Sequence, residues 1–201
     1  MASRRNDDGF RTAMLEAAAA LIAERGYHAV RIADIAEACG ASTGSVHYHF
    51  SGKDDVLTEA LRFAIEREFA RNRDALRGIE DAHERLLRLI EAQLPEEPEV
   101  RGEWLVWLAF WTEAARRPEL RALNAELYAG WRELIAETVR LGQRQGVFRD
   151  GDADAPADTL TALIDGIAVH VMTGLHRDGT PRMRELLVGF VDGLRAAEAR
   201  T

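Results

Sequence analysis

Hydrophobic residues recur at intervals of three and four along almost the whole chain, which is the spacing of one face of an α-helix. The first of these stripes includes Phe10, Met14 and Leu21, and it ends at Gly26, a residue suited to close a helix. No segment shows the alternating pattern of a β-strand bounded by hairpin turns. The pattern therefore predicts an all-α fold of about nine helices.

Two short helices and one long helix are predicted to follow the first. The short ones cover about residues 33–39 and 43–49, with Gly40 between them and Ser42 or Thr43 as the N-cap of the later helix. The fourth helix begins near Lys53 and carries a continuous apolar stripe. Twenty helical residues span about 30 Å, so this helix can connect two modules.

The remaining chain is predicted to form five more helices, punctuated by proline and glycine. Pro95 and Pro98 mark a loop, and Pro118 ends the sixth helix. Proline also stands near the first turn of the last two helices, where its missing N–H is harmless. The five predicted ranges are about 80–94, 100–116, 119–145, 156–175 and 181–199.

The composition limits the classes of protein to which this chain can belong. The chain has 201 residues, of which 47% are hydrophobic and 30% charged, enough apolar material for a packed core. A single cysteine excludes an internal disulfide, and no apolar run approaches the roughly 20 residues of a membrane span. We therefore expect a cytoplasmic protein. Because no catalytic motif or metal-ligand spacing is found, we expect no enzyme activity, cofactor or metal site.

The distribution of charge favours one narrow basic patch. The formal net charge is −8, which by itself argues against nucleic-acid binding. However, residues 38–53 contain no Asp or Glu, and Arg4, Arg5 and Arg11 form a small basic arm upstream. Since residues 1–55 still hold six Lys or Arg against eight Asp or Glu, binding to DNA would depend on dimerisation.

The second and third helices have the spacing of a helix-turn-helix. Gly40 allows the tight turn, and the third helix presents a small, polar, acid-free face suited to a groove lined by phosphates. Thr43, Ser45, His47 and Tyr48 form that face, whereas Val46 and Phe50 point to the core. The alternative is a plain three-helix bundle with a polar surface.

Residues 9–60 resemble the TetR family of bacterial transcriptional regulators. The resemblance covers Ile32, Ile35-Ala36, residues 40–45, residues 48–50, Lys53 and Leu57. It implies that the third helix enters the major groove and that Lys53 contacts phosphate. The DNA-binding residues implied are Arg31, Ser42, Thr43, Ser45, His47, Tyr48, His49 and Lys53. The sequence departs from the family at His47, where Tyr is common, and at Arg31, where Thr or Ser is common.

The rest of the chain contains a candidate effector site. Trp104, Trp107 and Trp111 share one helix face, and Tyr128 and Trp131 share another. Asp165 lies in an apolar stretch and needs a partner. These six residues fit an aromatic cage for a cationic or flat apolar effector. The alternatives are core packing for the aromatic residues, and a hydrogen bond from an indole or an arginine for Asp165.

A second resemblance narrows the range of candidate effectors. Residues 107–111 (WLAFW) and 163–166 (LIDG) resemble the BetI-like branch of the family, which makes choline one candidate among many. The resemblance also implies a homodimer formed by the last two helices. The interface residues predicted are Leu163, Ile167, Val171, Leu187, Phe190 and Leu194.

Together these observations predict three segments and one mechanism. They are a flexible basic arm (1–8), a helix-turn-helix domain (9–55) and an effector-binding and dimerisation domain (56–201). The protein is expected to be a homodimeric repressor of a double-stranded DNA operator. Binding of a small molecule would swing the fourth helix and change the spacing of about 34 Å between the two recognition helices. An activator, or a small-molecule-binding protein without an operator, stays open as an alternative.

Overall fold

The computed structural model describes residues 2–175 and 178–196, with side chains from residue 7 onward. This described part contains nine α-helices and no β-strand, which confirms the predicted all-α fold. The helices are α1 Ala2–Arg25, α2 Ile32–Ala38, α3 Thr43–His49, α4 Lys53–Ala75, α5 Ala82–Gln93, α6 Pro98–Ala114, α7 Pro118–Arg144, α8 Asp154–Met172 and α9 Gly179–Asp192.

The helix limits differ from the predicted ones mainly at prolines and at the two termini. Pro98 and Pro118 open α6 and α7, because a first-turn residue needs no partner for its N–H. The helix α1 begins at Ala2, so the backbone of residues 2–8 is helical. The side chains of Arg4 and Arg5 lie outside the described residues. The helix α9 ends at Asp192, well before the predicted limit near residue 199.

The chain divides into two compact units. The first unit comprises the residues up to Glu68 together with Gly102–Asn124. The second comprises Phe69–Arg101 and the residues from Ala125 onward. The helix α4 runs without interruption from the first unit into the second. The predicted domain boundary near residue 55 stays a prediction.

The first unit is built around α1, α2, α3 and the beginning of α4. The apolar stripes read from the sequence form its core, and six of its side chains are almost fully buried: Met14, Ile22, Ile35, Val46, Leu57 and Leu61. Gly26 closes α1 with a φ of 78°, and its N–H donates to the Ile22 carbonyl at 2.8 Å. The predicted C-cap at Gly26 is therefore confirmed.

In the second unit, α9 packs against α5 and α8. The buried side chains include Leu86, Ile90, Ile135, Met183, Leu187 and Val191. Polar contacts border this packing, since the Arg184 guanidinium binds both carboxylate oxygens of Glu91 at 2.7 and 3.0 Å. This bidentate pair, together with the bond from Arg184 to Glu96, supplements the apolar contacts that hold α9 in place.

The residues predicted for the dimer interface divide into two groups by exposure. Leu187 is fully buried within its own chain and Ile167 is 8% exposed, so both support the core of the second unit, and their contact with a partner stays a prediction. Leu163, Val171, Phe190 and Leu194 remain partly exposed. A dimer interface on α8 and α9 stays a prediction, and these four residues are the ones available for it.

Gly142 on α7 is required by the packing of the loop that follows. The ring of Phe148 lies over its Cα, and a Cβ added at Gly142 would clash with the ring carbon Cδ2 and come 2.5 Å from Cε2. Because Phe148 is itself 2% exposed, it has no room to move aside. Gly130 lies on the same helix, and a Cβ added there meets nothing within 4 Å.

We expect Gly142→Ala to lower the free energy of unfolding by about 1–3 kcal/mol, the usual cost of overpacking. Gly130→Ala is the matched control and should raise it by about 0.5–1 kcal/mol, because alanine favours helix. Urea denaturation followed by circular dichroism measures both changes. Equal effects of the two substitutions would contradict the packing described for Phe148.

Candidate DNA-binding and effector sites

The turn between α2 and α3 requires glycine at position 40. Gly40 has a φ of 63°, a conformation that other residues rarely adopt. Its N–H donates to the Glu37 carbonyl at 3.1 Å, and the next N–H, of Ala41, donates to Ala36 at 2.8 Å. This hydrogen bonding ends α2 and directs the chain into α3, as the helix-turn-helix spacing predicts.

The helix α3 exposes a short polar face. Ser42 is its N-cap, and the Ser42 hydroxyl accepts a hydrogen bond from the Ser45 N–H at 3.1 Å. On the opposite side Val46 is fully buried. Thr43, His47 and Tyr48 face outward, and Tyr48 is 78% exposed. A large aromatic side chain with that exposure is available to a partner.

His49 and Lys53 differ from the exposed residues of α3 because both contact other parts of the first unit. The His49 side chain is 8% exposed, its ring lies against Phe10, and its Nε2 is 3.5 Å from Asp7. A direct contact between His49 and DNA stays a prediction, and this burial argues against it. The Lys53 ammonium donates to the His28 carbonyl at 2.8 Å, which places the charge at the start of α4.

Arg31 precedes α2 without capping it through its side chain. The Arg31 N–H instead donates to the Asp34 carboxylate at 2.8 Å, which is half of a capping box. The Arg31 side chain is exposed. The absence of Thr or Ser at this position is thus compensated by Asp34, and the arginine charge remains available.

The end of α6 contacts the α1–α2 turn inside the first unit. The buried Glu113 carboxylate is 2.8 Å from the His28 ring. The Arg117 guanidinium donates to the Tyr27 hydroxyl at 3.0 Å and pairs with Asp54 at 3.1 Å, in the first turn of α4. These contacts link α6 to the turn whose carbonyl holds Lys53. No sequence pattern indicated these contacts, because they join residues 63 to 90 positions apart.

The three tryptophans of α6 form a cluster in the first unit, as their spacing predicts. The Trp104 and Trp111 ring centres are 6.3 Å apart, and those of Trp107 and Trp111 are 5.6 Å apart. The Trp107 indole N–H donates to the buried carboxylate of Glu68 at 2.9 Å. We call Trp104, Trp107 and Trp111 the tryptophan cluster.

The other three predicted effector residues belong to the second unit. The Tyr128 hydroxyl donates to the Asp165 carboxylate at 2.6 Å, joining α7 to α8. One turn along α7, the Trp131 ring stacks on Phe69 of α4, with ring centres 5.9 Å apart and planes 17° apart. We call Phe69, Tyr128, Trp131 and Asp165 the acidic aromatic site. The apolar stripe predicted for the fourth helix includes Phe69.

Asp165 is the unusual member of the acidic aromatic site. The expected partners of its carboxylate, an indole N–H or an arginine, are replaced by the neutral phenol of Tyr128. Burial raises the pKa of Asp165 to about 6, although the hydrogen bond from Tyr128 acts in the opposite direction. A carboxylate held in this way is costly when ionised, and a bound cation would relieve that cost.

An open groove in the first unit contains none of the predicted effector residues. It has a volume of about 570 Å³ and lies between the α1–α2 turn and α6. Its wall includes Tyr27, His28, Leu105 and Leu108. The predicted effector residues therefore lie outside this groove.

Comparison with known proteins decides the family. Residues 14–60 match the model of the bacterial regulatory proteins of the tetR family. Residues 82–196, more than half of the chain, match the model of the BetI-type transcriptional repressor C-terminal domain. The chain belongs to the TetR family. It is therefore a helix-turn-helix transcriptional regulator, as the resemblance implied.

Individual relatives of this TetR-family regulator agree with the assignment. A transcriptional regulator from Saccharomonospora viridis, solved in complex with choline, is 47% identical, with a TM-score of 0.86 over 94% of this chain and 98% of that one. The regulator PksA of Bacillus subtilis is 28% identical over 94% of this chain and 92% of its own length. The regulator BetI of Yersinia pestis is 29% identical over 78% of each. These relatives are regulators and not enzymes.

No helix within residues 2–175 and 178–196 is long and apolar enough to cross a membrane. In the same part of the chain, no group of three or more His, Cys, Asp or Glu side chains could hold a metal ion.

The raised pKa of Asp165 has a measurable consequence for stability. Because the folded state holds this proton more tightly than the unfolded state, whose pKa is near 3.8, stability falls as the pH rises from about 4 to about 6. Asp165→Asn cannot ionise and keeps an acceptor for Tyr128. At pH 7.5 we expect it to unfold with a free energy higher by about 3 kcal/mol, a gain that disappears below pH 4.

Urea denaturation between pH 3.5 and 8 checks this prediction, with Asp150→Asn at an exposed position as the control. A destabilised Asp165→Asn at pH 7.5 would show that the ionised carboxylate is well compensated in the free protein. The account of its burial would then be wrong.

Proposed function

We propose that this TetR-family regulator is a homodimeric repressor that leaves its operator when a small quaternary ammonium compound, such as choline, binds the acidic aromatic site. The observation that carries the proposal is the largely buried Asp165 carboxylate, which accepts a hydrogen bond from Tyr128, one helical turn from Trp131. Among the described contacts its polar partner is a neutral hydroxyl.

The chemistry of the site suits a compact organic cation. The faces of Trp131, Phe69 and Tyr128 can each attract a cation, with about 0.5–2 kcal/mol per ring when water is excluded. The carboxylate of Asp165 supplies the opposite charge. A bound cation also favours ionised Asp165, so binding relieves the free-energy cost of burying that charge.

The relatives support the same class of ligand. The Saccharomonospora viridis regulator binds choline in its solved structure, and the C-terminal match is to a BetI-type repressor. In this chain the acidic aromatic site takes one of its rings from α4, the helix that begins with Lys53 at the DNA-binding end. A ligand that favours one position of α4 can therefore change operator affinity. A ten-fold change requires about 1.4 kcal/mol of differential binding.

On the DNA side, we propose that Arg31, Ser42, Thr43, Ser45, His47, Tyr48 and Lys53 contact the operator. The exposed face of α3 enters the major groove, while Lys53 and Arg31 contact phosphates. We assign His49 a positioning role, because its ring packs on Phe10.

The effector proposal is tested by fluorescence anisotropy on DNA upstream of the protein's own gene. Choline is expected to weaken operator binding by wild type at least about ten-fold. Asp165→Asn should bind choline at least about ten-fold more weakly, although it is expected to be more stable than wild type. Asp150→Asn should respond as wild type does. A full choline response from a folded Asp165→Asn protein would contradict the proposal.

The phosphate contact proposed for Lys53 is tested by salt dependence. Each phosphate contact contributes about one to the slope of log K against log salt concentration. In a dimer, Lys53→Gln should therefore reduce this slope by about two. Arg77→Gln removes the same charge from an exposed position in the α4–α5 loop and should leave the slope unchanged. Equal slopes for Lys53→Gln and wild type would refute the contact.

A further inference from the structure

Two buried polar side chains in the second unit have no hydrogen-bond partner. The amide of Asn72 is fully buried, and neither its nitrogen nor its oxygen is hydrogen-bonded. The Thr161 side chain is 6% exposed, and its hydroxyl is also without a partner. Buried polar groups in native proteins are almost always paired, so these two call for an explanation.

Thr161 also differs from other threonines of this fold. A threonine inside a helix commonly donates to the carbonyl four residues earlier, and Thr138 does so at 2.8 Å and Thr159 at 2.9 Å. The Thr161 hydroxyl makes no such bond. It therefore retains both its donor and its acceptor capacity for another group.

Each of these two side chains lies on a helix face that also carries a member of the acidic aromatic site. Asn72 follows Phe69 by three residues on α4, so the two share a face. Thr161 precedes Asp165 by four residues on α8, so they also share a face. Phe69 stacks on Trp131, and Asp165 accepts from Tyr128. These contacts bring the faces of α4 and α8 against the same face of α7.

We propose that Asn72 and Thr161 form hydrogen bonds with a hydroxyl group of the effector. The site would therefore bind a quaternary ammonium alcohol more tightly than an ammonium compound without a hydroxyl. This inference rests on the proposed function. The rings and Asp165 bind the cationic end, and Asn72 and Thr161 bind the polar end.

The pairing of donors and acceptors defines the class of ligand. A hydroxyl both donates and accepts, so it can satisfy the Asn72 amide oxygen and also receive a bond from the amide nitrogen or from Thr161. A carboxylate only accepts, leaves the Asn72 oxygen unpaired and is repelled by Asp165. The geometry therefore favours an amino alcohol over the corresponding zwitterionic acid.

Calorimetric titration with three ligands of similar size tests the inference. They are choline, propyltrimethylammonium (in which a methyl group replaces the hydroxyl) and glycine betaine (in which a carboxylate replaces the CH2OH group). Wild type should bind choline about ten-fold more tightly than propyltrimethylammonium, the value of about one good hydrogen bond. It should bind glycine betaine more weakly than either.

Two variants test whether Asn72 and Thr161 cause the preference for choline over propyltrimethylammonium. Asn72→Leu should bring the choline-to-propyltrimethylammonium ratio close to one, and Thr161→Val should lower it. Thr138→Val is the matched control. It removes a buried threonine hydroxyl that bonds its own helix, and it should keep the wild-type ratio.

The outcomes separate this inference from the function on which it rests. Equal affinity of wild type for choline and propyltrimethylammonium would overturn the inference and leave the cation site intact. A wild-type ratio that persists in both Asn72→Leu and Thr161→Val would also overturn it, because the hydroxyl would then be read elsewhere. If neither cation binds wild type, the proposed function fails and the inference fails with it.

Discussion

Burying a carboxylate without a cationic partner is the physical constraint on which this account depends. Asp165 is held among apolar residues of α8, and the hydroxyl of Tyr128 donates to it. A neutral donor offsets only part of the lost hydration, which is why burial raises the pKa of this group. A buried carboxylate with a raised pKa marks a candidate ligand site. In the proposed function, Asp165 and the rings of Phe69, Tyr128 and Trp131 together suit an organic cation.

The helix α4 carries residues of both the DNA-binding end and the acidic aromatic site. Its first residue, Lys53, lies next to the recognition helix, whereas Phe69 contacts Trp131 in the second unit. These two positions are about 24 Å apart along one continuous helix. In the proposed mechanism, a cation held against Phe69 acts on the helix that begins with Lys53. The Lys53 ammonium connects the start of that helix to His28 in the α1–α2 turn, and Arg117 bridges Asp54 to Tyr27 of the same turn.

The sequence predicted the features that depend on local chemistry. The limits of α3, the turn at Gly40 and the cap at Gly26 could all be predicted, because each is set by residues within one helical turn. The exposed side of α3 was readable for the same reason, since Val46 and Tyr48 must face opposite ways. The pairing of Tyr128 with Asp165 was not readable, because it joins side chains 37 positions apart. Phe69, Asn72 and Leu187 show the same limit, since helical spacing gives a face and not the element that covers it.

The most direct test of the central claim is a crystal structure of the protein grown with choline. The account predicts the quaternary nitrogen within about 6 Å of the Trp131 ring centre, the usual range of a cation–π contact, and beside the Asp165 carboxylate. Choline bound only at the tryptophan cluster, with Asp165 still paired to Tyr128 alone, would contradict it.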